Sequence, residues 1–206
     1  MQESSIVKGR QHLIDAALRT LAERGYHRAT LRKIADNAGV TAGLVRHYFK
    51  GKDELFLEAY RHFKATGLEA YLRAAREAGP DPVKRLEGFV RSVLSYRTDA
   101  GEQMRIWAGF VELVVTDPNV AAAQAVAYDR FIEEISGCIF AIHAVRGEAL
   151  SVEAAREMAL GVNAVIDGVW LECSLNPSRM TTEEALDIAL DMIGTRLDVS
   201  FSSDRD

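Results

Sequence analysis

The sequence predicts an all-α protein, and three observations carry that reading. Proline is scarce: Pro80, Pro82, Pro118 and Pro177 are the only four, and each falls where the apolar period breaks, so they mark helix boundaries. Between those breaks, apolar residues recur every three to four positions, the spacing of one helix face. No stretch alternates apolar and polar for long enough to suggest a strand. With 206 residues, 48% of them hydrophobic and 27% charged, the chain has enough material for a real core and reads as globular.

A first helix is expected from Ser4 to Arg24, with Ile14, Ala17, Leu18, Leu21 and Ala22 on one face. Gly25 follows as its C-terminal cap. Thr30 is a good N-cap for a short second helix in which Leu31, Ile34, Ala35 and Ala38 face inward. Gly39-Val40 makes a tight turn, and Thr41 caps a third helix that packs through Val45 and Phe49. Lys50-Gly51-Lys52 closes it. A long helix then runs from Asp53 to Ala78, with two acids in its first turn, where the helix dipole favours them. Gly67 inside it costs roughly 1 kcal/mol relative to alanine and is expected to soften it. Further helices fit Val83 to Tyr96, Glu102 to Val115, Pro118 to His143, Val152 to Leu175 and Thr182 to Val199. The tail from Ser200 onward is expected to fray.

The charge is unevenly placed. Net charge is −5, yet residues 1–52 carry ten Lys/Arg against four Asp/Glu, so +6, and the remainder carries −11. A basic quarter on an acidic body suggests that one end meets a polyanion. There is no signal-peptide order at the N-terminus and no run near the 18 or so apolar residues of a membrane span. No membrane partner is expected. Cys138 and Cys173 sit in no CxxC and read as small buried hydrophobes, which fits a reducing cytoplasm. The five histidines fall in no metal-ligand spacing, and neither a phosphate-binding glycine loop nor a nucleophile elbow is present. No enzyme, metal or cofactor is expected.

The segment from Thr30 to Phe49, TLRKIADNAGVTAGLVRHYF, gives two short helices about a glycine turn. The second is too short to stand alone, so it must share a core with the first helix. That is the layout of a helix-turn-helix, whose second helix enters the major groove. Arg32 and Lys33 lie in the first turn of their helix, where cations are unfavourable unless a phosphate docks. On the recognition helix, Ala42, Gly43, Arg46 and His47 point away from Val45 and Phe49. Arg46 suits guanine O6 and N7, and His47 a base or phosphate. Tyr48 and Lys52 stand where a phosphate is gripped, although Tyr48 also reads as a core aromatic with a wet hydroxyl.

TLRKIADNAGVTAGLVRHYFKGKDELF closely resembles the DNA-binding signature of TetR-type regulators. The shared features are the Gly-Val turn, the small-residue recognition helix, the Tyr-Phe pair, and a lysine followed by acids that open helix four. The resemblance implies a three-helix DNA-binding domain over residues 1–52, completed by the start of helix four (53–60). It also implies a helical ligand-binding and dimerisation domain over 53–206. The DNA contacts it implies are Arg32, Thr41, Ala42, Gly43, Leu44, Arg46, His47, Tyr48 and Lys52. The C-terminal half, through RIWAGFVEL (105–113) and AVIDGVWLECSL (164–175), is similar to the BetI-type, choline-responsive branch. The resemblance further implies that the last two helices meet those of a second copy as a four-helix bundle. Their apolar lines are Ala155, Ala159, Val162, Ile166, Val169 and Trp170, then Leu186, Ile188, Leu190, Met192, Ile193 and Leu197.

A small-molecule site is expected at Trp107, Phe110, Glu112, Tyr128, Phe131, Asp167 and Trp170, since aromatics with carboxylates hold a cation. The same residues also read as ordinary core. The expected function is a ligand-responsive repressor, binding a near-palindromic double-stranded operator as a homodimer. Its effector is unidentified, with a quaternary ammonium compound as one candidate. A constitutive DNA-binding regulator and a non-DNA helical interaction module remain the rival readings.

Overall fold

The computed structural model describes residues 2–98 and 101–202, with side chains from 8 to 96 and from 101 to 202. Among the described residues there are nine helices and no strand: α1 Gln2–Arg28, α2 Leu31–Asn37, α3 Ala42–Tyr48, α4 Lys52–Glu77, α5 Pro82–Thr98, α6 Glu102–Thr116, α7 Pro118–Val145, α8 Val152–Leu175 and α9 Thr182–Leu197. They gather into two compact units, one of Met1–Ala65 with Glu102–Ala127 and one of Thr66–Gly101 with Tyr128–Asp206.

The first unit is organised by α1. Its buried residues Leu13, Ile14, Ala16, Ala17 and Leu21 share one core with Ile34, Ala35, Val45 and Phe49 of the two short helices and Leu55, Phe56 and Ala59 of α4. α6 belongs to this unit, which chain order does not show. It closes on α1 at Gly109, where an added Cβ would lie 2.7 Å from Leu21 Cγ. Gly109→Val is therefore expected to push the two helices apart and cost about 1–3 kcal/mol. A thermal melt checks this, and an unchanged midpoint would contradict the packing. Gly25 does not end α1 outright: its left-handed φ of 71° turns the chain, and Tyr26–Arg28 continue as a further helical turn.

The second unit packs the latter part of α4 with α5, α8, α9 and most of α7. Leu86, Phe89, Val90 and Val93 of α5, Ile132, Ile135 and Ile139 of α7 and Ile166 of α8 are buried. Gly67 does not break α4, which is continuous through it. A Cβ there would stand 3.0 Å from Tyr71 Oη and 3.6 Å from the Tyr96 ring, so this glycine makes room for two tyrosines.

Three expectations about the second unit need correction. The last helix starts at Thr182, with Thr181 as its N-cap in a capping box with Glu184, but it ends at Leu197, two residues before Val199, where Asp198 turns left-handed at φ 51°. The tail is not frayed as far as Ser202. The Ser202 N–H donates to Glu87 Oε2 at 3.1 Å, and Arg91 Nη2 donates to the Ser202 carbonyl at 2.8 Å. Residues 203–206 lie outside the described residues. Finally, α8 does meet the length and composition of a membrane span, with a mean hydropathy of 1.3. Much of that apolar content is core, since Ala155, Ala159, Val162, Ile166, Trp170 and Cys173 are buried inside the unit.

Candidate functional site

The DNA-reading candidates stand on α2 and α3, and the local chemistry explains why those short helices hold. Thr30 Oγ1 accepts the Lys33 N–H at 3.3 Å and Thr41 Oγ1 accepts the Leu44 N–H at 3.3 Å, so each helix has its N-cap. Gly39, at φ 64°, makes the turn, and the Val40 N–H returns to the Ala35 carbonyl at 3.0 Å. His12 Nε2 meets the Ala38 carbonyl at 2.9 Å, and a carbonyl only accepts, so this nitrogen carries the proton. Below α3, Val45 and Phe49 are sealed, and the Arg10 guanidinium lies 5.1 Å from the Phe49 ring centroid while pairing with Glu58 at 2.5 Å.

What remains outward on α3 is Gly43, Leu44, Arg46 and His47, all exposed, with Arg46 and His47 in the last turn, where the dipole favours cations. Thr41 and Arg32 are exposed and Ala42 is half-buried. Leu44, at 39% exposed, is an apolar side chain on an otherwise polar face. Tyr48 is half-buried, its hydroxyl against α1 at Gly9 and its ring edge-on to His47 at 5.3 Å. Two lysines are engaged within the fold. Lys33 Nζ donates to the Arg28 carbonyl at 3.3 Å, and Lys52 Nζ to the Tyr26 carbonyl at 2.6 Å. Burial holds the Lys52 ammonium below its ordinary pKa.

The effector candidates divide between the units. Trp107, Phe110 and Glu112 belong to the first. Trp107 is 40% exposed, whereas Phe110 is 1% exposed. The Phe110 ring lies 4.8 Å from Tyr60, 6.2 Å from Phe63 and 6.4 Å from Phe56. Glu112 pairs with His27 Nε2 at 2.9 Å. Tyr60 donates to Gln124 Oε1, and burial pushes its hydroxyl up to about 12.

Tyr128, Phe131, Asp167 and Trp170 belong to the second unit. Phe131 packs 5.1 Å from Phe89 and 6.1 Å from Tyr71, and Trp170 is buried. Tyr128 is half-buried, and Asp167 Oδ2 accepts from the buried Asn163 amide at 3.0 Å. Sequence reasoning missed Tyr71, Phe89 and Asn163. Asn163 had a readable signal, a polar residue on the apolar face of α8. A groove of about 1050 Å³ in this unit runs along α9 and the tail, past Asp187, Asp191, Thr195 and Phe201, and touches none of the predicted effector residues. Among the described residues no group of His, Cys, Asp and Glu is placed to hold a metal.

Comparison with known proteins agrees with this architecture. Residues 13–59 match the family described as bacterial regulatory proteins, tetR family, and residues 82–198 match that of the BetI-type transcriptional repressor, C-terminal. The HTH-type transcriptional regulator BetI of Paraburkholderia phytofirmans is 32% identical over 89% of this chain and 91% of its own. That of Burkholderia cenocepacia is 33% identical over the same shares. Among solved structures, a Pseudomonas aeruginosa PAO1 protein superposes with a TM-score of 0.82 at 26% identity, covering 92% of this chain and 90% of its own. A Saccharomonospora viridis protein solved in complex with choline has a TM-score of 0.77 at 21% identity, covering 91% and 96%. The first matched segment spans the capped helix-turn-helix and the second runs from α5 to α9, and the chain belongs to the TetR family of DNA-binding transcriptional regulators, with a C-terminal domain of the BetI repressor type.

Proposed function

We propose that the protein is a cytoplasmic, ligand-responsive repressor that holds a near-palindromic operator as a two-fold dimer. The observation that carries this is the recognition helix itself: Val45 and Phe49 are sealed below, while Gly43, Leu44, Arg46 and His47 stand exposed above. The glycine admits close backbone approach, Arg46 matches guanine, and Leu44 matches a thymine methyl. Arg32, Thr41, Ala42, His47 and Tyr48 position the helix on the backbone, with Lys52 at the rim.

Dimerisation uses the outward faces of α8 and α9. Leu160, Ala164, Gly168, Leu171 and Leu175 recur at helical spacing on α8, and Ile188 and Met192 on α9, all exposed in the single chain. A second copy covers such a stripe, and two recognition helices then meet successive major grooves about one turn apart.

The effector candidates are Trp107, Phe110 and Glu112 in one unit and Tyr128, Phe131, Asp167 and Trp170 in the other. The choline-bound relative in fold makes quaternary ammonium compounds the first class to try. The test is a gel shift on DNA flanking the protein's own gene, with and without choline and related cations, followed by tryptophan fluorescence titration with and without operator. A compound that releases DNA is expected to bind the operator complex more weakly by the same factor. If a broad panel neither binds nor releases DNA, the protein is a constitutive regulator. If no duplex is bound, the repressor reading fails.

A further inference from the structure

The start of α3 has no buried residue of its own. Ala42 is half-buried, Gly43 and Leu44 are exposed, and the buried anchors Val45 and Phe49 come later. Where that start lies is therefore decided by the turn before it, residues 38–41. It matters for reading, because the N-terminal residues of a recognition helix are those that meet base edges. Backbone bonds tie the turn to α2: the Gly39 N–H reaches the Asp36 carbonyl at 3.1 Å and the Val40 N–H the Ala35 carbonyl at 3.0 Å.

Two side-chain bonds tie the same turn to α1. A helix leaves its last carbonyls without partners inside the helix, and at Ala38, the C-cap of α2, His12 Nε2 supplies the donor at 2.9 Å. One residue earlier, Asn37 Nδ2 donates to Thr20 Oγ1 at 2.9 Å. The Thr20 hydroxyl gives its own proton to the Ala16 carbonyl at 2.7 Å, so its oxygen is left to accept. Thr20 is 0% exposed, a polar residue on the apolar face of α1. His12 and Thr20 are eight residues apart, about 12 Å along the helix, and their bonds converge on consecutive residues. One bond fixes a distance and leaves the turn free to swivel about it. Two bonds from separated points fix its heading as well.

We infer that His12 and the Thr20–Asn37 pair are positioning residues for base recognition: from α1 they set the heading of the turn, and so where Gly43, Leu44 and Arg46 are presented. None of the three is among the DNA contacts expected from the sequence. The inference rests on the DNA-binding reading above.

The test measures binding of the full chain by fluorescence anisotropy to a duplex from the DNA flanking its own gene and to a random duplex of equal length. It runs over a series of KCl concentrations, well below the melting temperature of each variant. His12→Leu and Thr20→Val are each expected to lower the ratio of the two affinities about five-fold. The slope of log affinity against log salt is expected to stay at the wild-type value, because the phosphate contacts remain. His12→Gln returns an N–H donor to the same place and is expected to stay within about two-fold of wild type. Asn37→Ala is expected to match Thr20→Val, and combining them to cost no more than either, since both open one bond.

An unchanged ratio with lowered melting temperatures would mean that the bonds only stabilise the fold, and overturns the inference. A slope smaller by about 0.9 in His12→Leu makes His12 a phosphate contact and overturns it too. So does a His12→Gln chain that behaves like His12→Leu, or additive losses at Thr20 and Asn37. Should Thr20→Val fail to fold, Asn37→Ala opens the same bond from its exposed end and carries the test. A wild-type chain that binds no duplex overturns the DNA-binding reading, and this inference with it. A wild type that discriminates, with variants that discriminate equally well, overturns this inference alone.

Discussion

Ile193→Glu is expected to unfold the C-terminal unit, and its neighbour Met192→Glu to give a folded monomer that loses the operator. The sequence puts both residues on one apolar line expected to meet a second copy. The structure separates them. Ile193 is 1% exposed, with Leu190, Leu197, Val162 and Ile166 also buried, whereas Met192 is 50% exposed and Ile188 40%. One residue is a turn of about 100° around a helix, so adjacent positions face different surroundings. A carboxylate forced into the buried Ile193 position loses its hydration and should cost about 4 kcal/mol or more. At Met192 it sits in water in the single chain and becomes unfavourable only when a second copy closes over it. Circular dichroism melts and light scattering distinguish the cases. A well-folded Ile193→Glu would contradict the core, and a dimeric, operator-binding Met192→Glu would contradict the proposed seam.

Phe110→Ala is expected to lower stability by about 3–5 kcal/mol whether or not any effector is present, because its ring fills the first unit's core among Phe56, Tyr60 and Phe63. Trp107, on the same helix and 40% exposed, is expected to change stability by no more than about 1 kcal/mol when cut to alanine. Loss of effector response in Phe110→Ala alone therefore says nothing about binding, and the same loss in Trp107→Ala does. Parallel thermal melts and ligand titrations settle the two roles. A Phe110→Ala chain that melts with wild type would mean the ring is not the filler its surroundings describe.

How much was legible in the sequence follows from how local each feature is. The caps Thr30 and Thr41, the turn at Gly39, and α8 over Val152–Leu175 are fixed by neighbours a few residues away, and they stand where the sequence puts them. The proposed seam is not legible in the sequence, because apolar spacing identifies a face without saying what covers it. Buried and exposed apolar residues share the same chemistry, so Ile193 and Met192 read alike in the sequence. Gly109 against Leu21, and Ser202 between Glu87 and Arg91, join residues 88 or more positions apart, beyond the reach of periodicity. Within the site, exposure of Arg46 and His47 follows directly from burial of Val45 and Phe49. The engagement of Lys52 by Tyr26 does not, because it depends on a glycine turn that the sequence reads as a simple helix end.

The shortness of α3 has a thermodynamic consequence. Seven residues, Ala42–Tyr48, hold their shape only while the core beneath Val45 and Phe49 is closed. Recognition and folding of the first unit are then one cooperative transition: there is no state in which the headpiece has opened and the reading helix survives. Operator DNA, which engages only the closed form, adds its binding free energy to the stability of that unit by mass action. The repressor is most resistant to unfolding while it sits on its site, and a copy released from DNA gives up that protection together with its grip.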